Sequence, residues 1–112
     1  MIKTEGYFTT APLFYEVRKG VLPRYLAIGL FFDNEGKYWE NYVWSKNDKK
    51  IKFQKEDFFN SERKSNYQID GNEIQVTKNL GSPIEGMIYF EIINETQIRS
   101  KQDGTLLTFN SW

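Results

Sequence analysis

No stretch of this sequence repeats its apolar residues at the 3.6-residue period of a buried helix face. β-branched and aromatic residues gather instead in short runs separated by Gly, Asn and Asp, a pattern that predicts an antiparallel all-β protein. The turn signals are Asp33-Asn34-Glu35-Gly36, Asn47-Asp48, Asp70-Gly71-Asn72, Gly81-Ser82-Pro83, Asn94-Glu95 and Asp103-Gly104. Between them fall nine short strands, at about 6–11, 13–18, 24–33, 37–45, 64–70, 73–78, 84–93, 97–102 and 105–111. No repeat, low-complexity tract or linker divides them, and 112 residues is a common single-domain length, so residues 1–112 read as one domain.

Strand registers follow from asking which loop length brings apolar residues opposite one another on one face, because a one-residue slip inverts every side chain. A three-residue loop Asn34-Glu35-Gly36, with Gly36 left-handed in a G1 bulge, sets Leu26, Ile28 and Leu30 against Trp44, Tyr42 and Glu40. Trp39, Asn41 and Val43 then face Phe31, Gly29 and Ala27. A two-residue Asp70-Gly71 loop pairs Tyr67 with Ile74 and Ser65 with Val76. An Asp103-Gly104 loop pairs Ile98 with Phe109 and Ser100 with Leu107, and a three-residue loop at Asn94-Glu95-Thr96 sets Ile92 opposite Ile98. The inward set of the second half is Tyr67, Ile69, Ile74, Val76, Ile88, Phe90, Ile92, Ile98, Leu107 and Phe109. Gln97, Arg99, Lys101, Thr108 and Asn110 alternate with it, which implies a sheet with one wet face.

The first half differs, since strands 24–33 and 37–45 carry apolar or aromatic residues on both faces. Small residues inside a strand, here Ala27 and Gly29, mark a close approach by another group. Either the N-terminal segment and the 54–63 loop pack over this face, or a ligand does.

Composition mainly removes mechanisms. With no Cys and no His, disulfides, thiolate or imidazole zinc sites and Ser-His or Cys-His nucleophiles are all excluded, and redox compartment and localisation stay open. Fifteen Lys plus Arg balance fifteen Asp plus Glu, so no long-range field favours nucleic acid. The Lys- and Phe-containing stretch from Lys46 to Lys64 is interrupted by Asp48, Glu56, Asp57 and Glu62 and reads as a solvated loop face. The longest apolar run, Tyr25 to Phe32, is too short for a membrane helix of about 20 residues. Met1 to Gly6 lacks the apolar core of a signal peptide.

The segment Tyr25-Leu26-Ala27-Ile28-Gly29-Leu30-Phe31-Phe32-Asp33-Asn34-Glu35-Gly36, then Tyr67-Gln68-Ile69-Asp70-Gly71-Asn72-Glu73-Ile74, then Gly86 and finally Asp103-Gly104 leading into Leu107-Thr108-Phe109 resembles small bacterial lipocalin-like proteins of uncharacterised function. Their pattern is a "YLRFY-DG" hairpin, a "Y-I-GN-I" hairpin and a closing "S-NG-F" hairpin, matched over roughly residues 24–111. Ala27 replaces a residue that is often basic in that family, and Gly6-Tyr7-Phe8 stands where a Gly-X-Trp opening is usual. The resemblance implies an antiparallel up-and-down meander barrel of eight or nine short strands. That is also what many short hairpin-linked strands require if no sheet edge is to stay exposed. An eight-strand barrel is filled by its side chains or holds one small ligand.

The expected function is non-catalytic binding of a small apolar or amphipathic molecule. Arg24, Tyr25, Trp39, Glu40, Tyr42, Trp44 and Tyr67 are the expected lining or mouth. Glu40 is the carboxylate of most interest, lying mid-strand among Tyr38, Trp39, Tyr42 and Trp44, where burial would raise its pKa; the plainer reading is an exposed residue or one bonded to a Tyr hydroxyl. Glu85 and Glu91 lie about 20 Å apart along one strand and cannot act as a pair. Asp33, Asp70 and Asp103 read as turn residues, and Glu56-Asp57-Phe58-Phe59 as a short helical turn or a lid. No cofactor and no metal is expected. The alternative is a protein-interaction or homodimerisation module with a filled barrel and an exposed aromatic face on strands 24–45.

Overall fold

The structure, a computed structural model, describes residues 2–15, 24–46, 52–60 and 64–112. Its strands are β1 (Gly6–Thr9), β2 (Leu13–Tyr15), β3 (Arg24–Phe32), β4 (Tyr38–Ser45), β5 (Asn66–Asp70), β6 (Glu73–Lys78), β7 (Gly86–Asn94), β8 (Gln97–Ser100) and β9 (Leu106–Ser111). A 3-10 helix, Lys55–Asn60, lies between β4 and β5. Each of the nine expected strands is present, with ends trimmed. The Asn47-Asp48 turn, Lys49, Lys50, Glu62, Arg63 and the 16–18 end of the second strand lie outside the described residues.

All nine strands join one antiparallel sheet. From β5 to β9 each strand pairs with the next in sequence, β9 pairs with β1, β1 and β2 share one edge of β3, and β4 takes the other. The sheet is not closed. Its end strands approach at one point, where Lys37 bridges Asn66, the Tyr38 N–H donates to the Ser65 carbonyl at 2.9 Å and the Tyr67 N–H to the Gly36 carbonyl at 2.8 Å.

β1 and β2 are one irregular strand. Phe8 pairs with Leu30, but Leu13 pairs with Leu26, so one extra residue is accommodated between them. Thr10 bridges the break: its N–H donates to the Ile28 carbonyl, and its hydroxyl accepts from the Ile28 N–H at 3.2 Å. Pro12, which has no N–H to offer a ladder, sits in this gap. The slip reverses the facing, leaving Phe14 on the outer surface against Tyr25.

The β3–β4 register is as expected, with Leu26, Ile28 and Leu30 opposite Trp44, Tyr42 and Glu40. Gly36 has φ +82°, and the Asp33 carboxylate accepts from the Glu35 and Lys37 N–H groups. Three later details are corrected. Around the β5–β6 turn, Ile69 pairs with Ile74 and Tyr67 with Val76, two residues from the expected register, because Gly71-Asn72 are the loop residues. Positive φ at Gly71 alone fits a turn that needs it at the first loop position. At β8–β9, Ile98 pairs with Leu107 rather than Phe109 and the Ser100 N–H bonds to the Thr105 carbonyl, so the loop holds four residues. Ile92 does oppose Ile98, but Asn94 pairs with Gln97, so the extra residue is a bulge between Ile92 and Asn94 and not a third loop residue.

Both register errors are two residues, so the facing survives. The concave face carries a core of Ile2, Phe8, Leu30, Phe32, Tyr38, Ile74, Val76, Phe90, Ile98 and Leu107. Tyr67, Ile88, Ile92 and Phe109 pack against it, while Ile69 is exposed.

A second, aromatic cluster covers the convex face of β1, β3 and β4. Phe53 and Phe58 from the 52–60 segment pack with Tyr7, Ala27 and Phe31, and Trp39 and Trp112 flank them. Gly29 sits under Phe53: a Cβ on it would lie 3.0 Å from the ring. Of the two explanations for Ala27 and Gly29, this structure favours cover by the chain itself. The 52–60 segment covers Phe31 and packs against Trp39, whereas Tyr42 and Trp44 on the other face stay 49% exposed. Among the described residues, no helix is long and apolar enough to cross a membrane.

Candidate functional site

Alternation along β4 turns Tyr38, Glu40 and Tyr42 toward the concave side, beside the seam where the sheet stays open. On β6 the same alternation runs Ile74, Val76, Lys78, so the third inward position is a cation rather than an aliphatic residue. The curl of the sheet brings these two series together. Lys78 Nζ lies 2.6 Å from Glu40 Oε1, and the Tyr38 hydroxyl donates to Glu40 Oε2 at 2.8 Å. The Glu40 and Lys78 side chains are both about three-quarters buried, with 23% and 27% exposure.

Electrostatics keep the tyrosines protonated. Burial, then the Glu40 charge and the hydrogen bond to it, hold the Tyr38 hydroxyl well above its ordinary value. Burial followed by the same Glu40 effects pushes Tyr42 up to about 12. At neutral pH both hydroxyls keep their protons, and Tyr38 donates its own to the carboxylate that Lys78 pairs with. Each Glu40 oxygen has a partner within the cluster, and the tyrosine rings beside it add apolar area.

The cluster divides two cavities. On the concave side is one of about 160 Å³, with Ile28, Leu30, Ile88, Phe90 and Leu107 among its walls and Thr10, Ser100 and Asp103 at its rim. Along the seam, a groove of about 210 Å³ lies between Trp39, Phe58, Ser65 and Asn79. Tyr38, Glu40, Tyr42 and Lys78 line both.

The other expected site residues lie apart from this cluster. Arg24 is exposed at the start of β3, paired with Tyr15, and lines neither cavity. Tyr25 is on the convex side against Phe14. Trp39 reaches the seam groove from the convex side and packs edge-on to Phe59. Trp44 has the facing of Glu40 but stands half-exposed beyond both cavities. Tyr67 is part of the core, its ring on Phe32 and its hydroxyl donating to the Asp33 carbonyl. Only Glu40 and Tyr42 of the expected set share the concave cavity.

Tyr38 and Lys78 were missed. Tyr38 shares a strand face with Glu40, so alternation alone could have found it. Lys78 carried a weaker signal, a cation in phase with Ile74 and Val76. Asp33 and Asp103 are turn residues: the Thr105 N–H bond to Asp103 holds that carboxyl below its usual range. Among the described residues no group of three or more carboxylates gathers to hold a metal. Compared with family models, curated proteins and solved structures, the chain matches none.

Proposed function

We propose that this protein binds a small amphipathic molecule without chemical change, in a lipocalin-like up-and-down barrel left open along one seam. The barrel reading draws on the pairing order: β3 pairs with β4, each strand from β5 to β9 pairs with the next, and the first strand pairs with the last. The observation that carries the function is the concave cavity, where an aliphatic and aromatic floor meets one convergent polar cluster, the usual composition of a small-molecule site. At about 160 Å³ it is smaller than drug-sized pockets, so the ligand is compact. Affinity comes from apolar area removed from water, and the polar cluster around Glu40 orients the polar end.

Native mass spectrometry of freshly purified protein, together with intrinsic fluorescence titration against small aliphatic and aryl alcohols, acids and amines, tests this. A bound small molecule, or saturable quenching lost in Ile88→Trp, is the expected result. No adduct and no response to any of the panel would overturn it.

The alternative, a contact surface for another protein or a second copy, has one observation in its favour. Phe14 is 55% exposed and stacks on Tyr25, forming an apolar spot on the convex side. Sedimentation of the protein and of Phe14→Ser distinguishes a dimer held there from a monomer.

A further inference from the structure

The Glu40–Lys78 pair already displays what the cavity recognises. An ammonium sits against a carboxylate at 2.6 Å, in a cavity that Tyr38, Tyr42 and apolar side chains also line. The two partners are not equally fixed. Glu40 also accepts from the hydroxyl of Tyr38, whose ring belongs to the buried core. Lys78 is a long, flexible side chain, and among the described residues Glu40 is the tie on its ammonium. Once another cation takes its place on Glu40, Lys78 can move to water and regain rotamer freedom, whereas Glu40 leaving would strand the Tyr38 hydroxyl in the core.

Charge points the same way. The ionisable groups lining the concave cavity, tyrosines aside, are Glu40, Asp103 and Lys78. With Lys78 withdrawn, two carboxylates remain, so an entering anion meets repulsion and an entering cation meets a partner.

Resting on the cavity reading above, we infer that the ligand is a small primary amine with a compact apolar tail, its ammonium replacing Lys78 Nζ on Glu40 and its tail lying on Ile28, Leu30, Ile88 and Phe90. Lys78 is then an internal competitor that holds the site closed when no amine is present.

Three near-isosteric probes test this by calorimetric titration at about pH 8: 2-phenylethylamine, 2-phenylethanol and 3-phenylpropionate. In the unaltered protein the amine is expected to bind at least about tenfold more tightly than the alcohol, with the carboxylate weakest. Lys78→Met should tighten amine binding by about tenfold, because the competing closed state is removed, and leave the alcohol within about twofold. Glu40→Gln should bring amine and alcohol to similar affinity. If the alcohol binds as well as the amine, the amine inference falls while the cavity reading stands. Tighter binding of the carboxylate would also overturn it, since Glu40 would then be the displaced group. If none of the three binds, the cavity reading falls too.

Discussion

Gly29 and Glu40 stand on opposite faces of one hairpin, and each is explained by what lies against it. Gly29 leaves room for the Phe53 ring, which a Cβ would approach to 3.0 Å. Gly29→Val should therefore cost about 1–3 kcal/mol, the usual range for overpacking, read as a lower urea midpoint with unchanged slope. Pairing it with Phe53→Leu should give a non-additive cycle, since the two side chains share one space. A close approach at Gly29 was legible in the strand itself. Its partner was not, because Phe53 belongs to a segment whose path the alternation pattern does not describe.

Around Glu40, the two tyrosines make stability depend on alkaline pH. Both hydroxyls are raised, so above the unfolded value of about 10 the unfolded chain releases protons that the folded chain keeps. Their contribution is fully present below about pH 10 and is lost as pH rises through the folded values, about 12 for Tyr42. Urea unfolding at pH 8 and at pH 11 should show a drop that is smaller in Tyr38→Phe/Tyr42→Phe. An equal drop in that variant would assign the effect elsewhere.

Among the elements, hairpin facing was legible throughout, whereas loop length was legible at β3–β4 but not in the three later hairpins. Alternation of Ile74, Val76, Ile88 and Phe90 with polar residues identifies the inner face, but a two-residue slide preserves that alternation. The slide is decided by turn backbone, by Gly71 with φ +62° and by the Gly104 N–H bonding to the Ser100 carbonyl. Local dihedral preference, not burial, chooses between those registers.

The 52–60 segment explains why β3 and β4 are apolar on both faces. It also guards the open edge of β4: Asn41 accepts from its neighbour's N–H at Tyr42 and donates to the Asp57 carbonyl. A free edge of this kind invites pairing with another chain, and side-chain capping under a covering segment is one way to prevent that. Phe58, 1% exposed between Tyr7, Phe31 and Trp112, is the anchor of the segment. Phe58→Ala should cost about 3–5 kcal/mol and shift tryptophan emission to the red, as Trp112 gains water. A change below about 1 kcal/mol with unshifted emission would show that the segment is not part of the core.

For the whole molecule, an all-β antiparallel sheet was legible from turn spacing and alternation, and so was most of its concave core. The cluster around Glu40 was legible only in part. Glu40 and Tyr42 are neighbours on one strand face, but Lys78 comes from the second hairpin and meets them only because the sheet curls until its end strands touch at Lys37 and Asn66. Curl is a sum of small strand twists, which no local pattern records. Arg24 and Tyr25 were expected at the lining or mouth as a basic and an aromatic residue at the start of β3. Alternation along β3 instead turns Tyr25 to the convex side with Ala27 and Gly29, where the slip between β1 and β2 sets Phe14 against it, and Arg24 is exposed at the strand start.

The concave cavity carries the functional proposal, and methyl-resolved NMR reports on it directly. Titration with 2-phenylethanol should shift the methyl signals of Ile28, Leu30, Ile88 and Leu107 together along one saturating curve, leaving Ala27 and Val43 on the convex side unmoved. Shifts confined to Ala27 and Val43, or no saturable shift in the four cavity methyls, would contradict binding on the concave face.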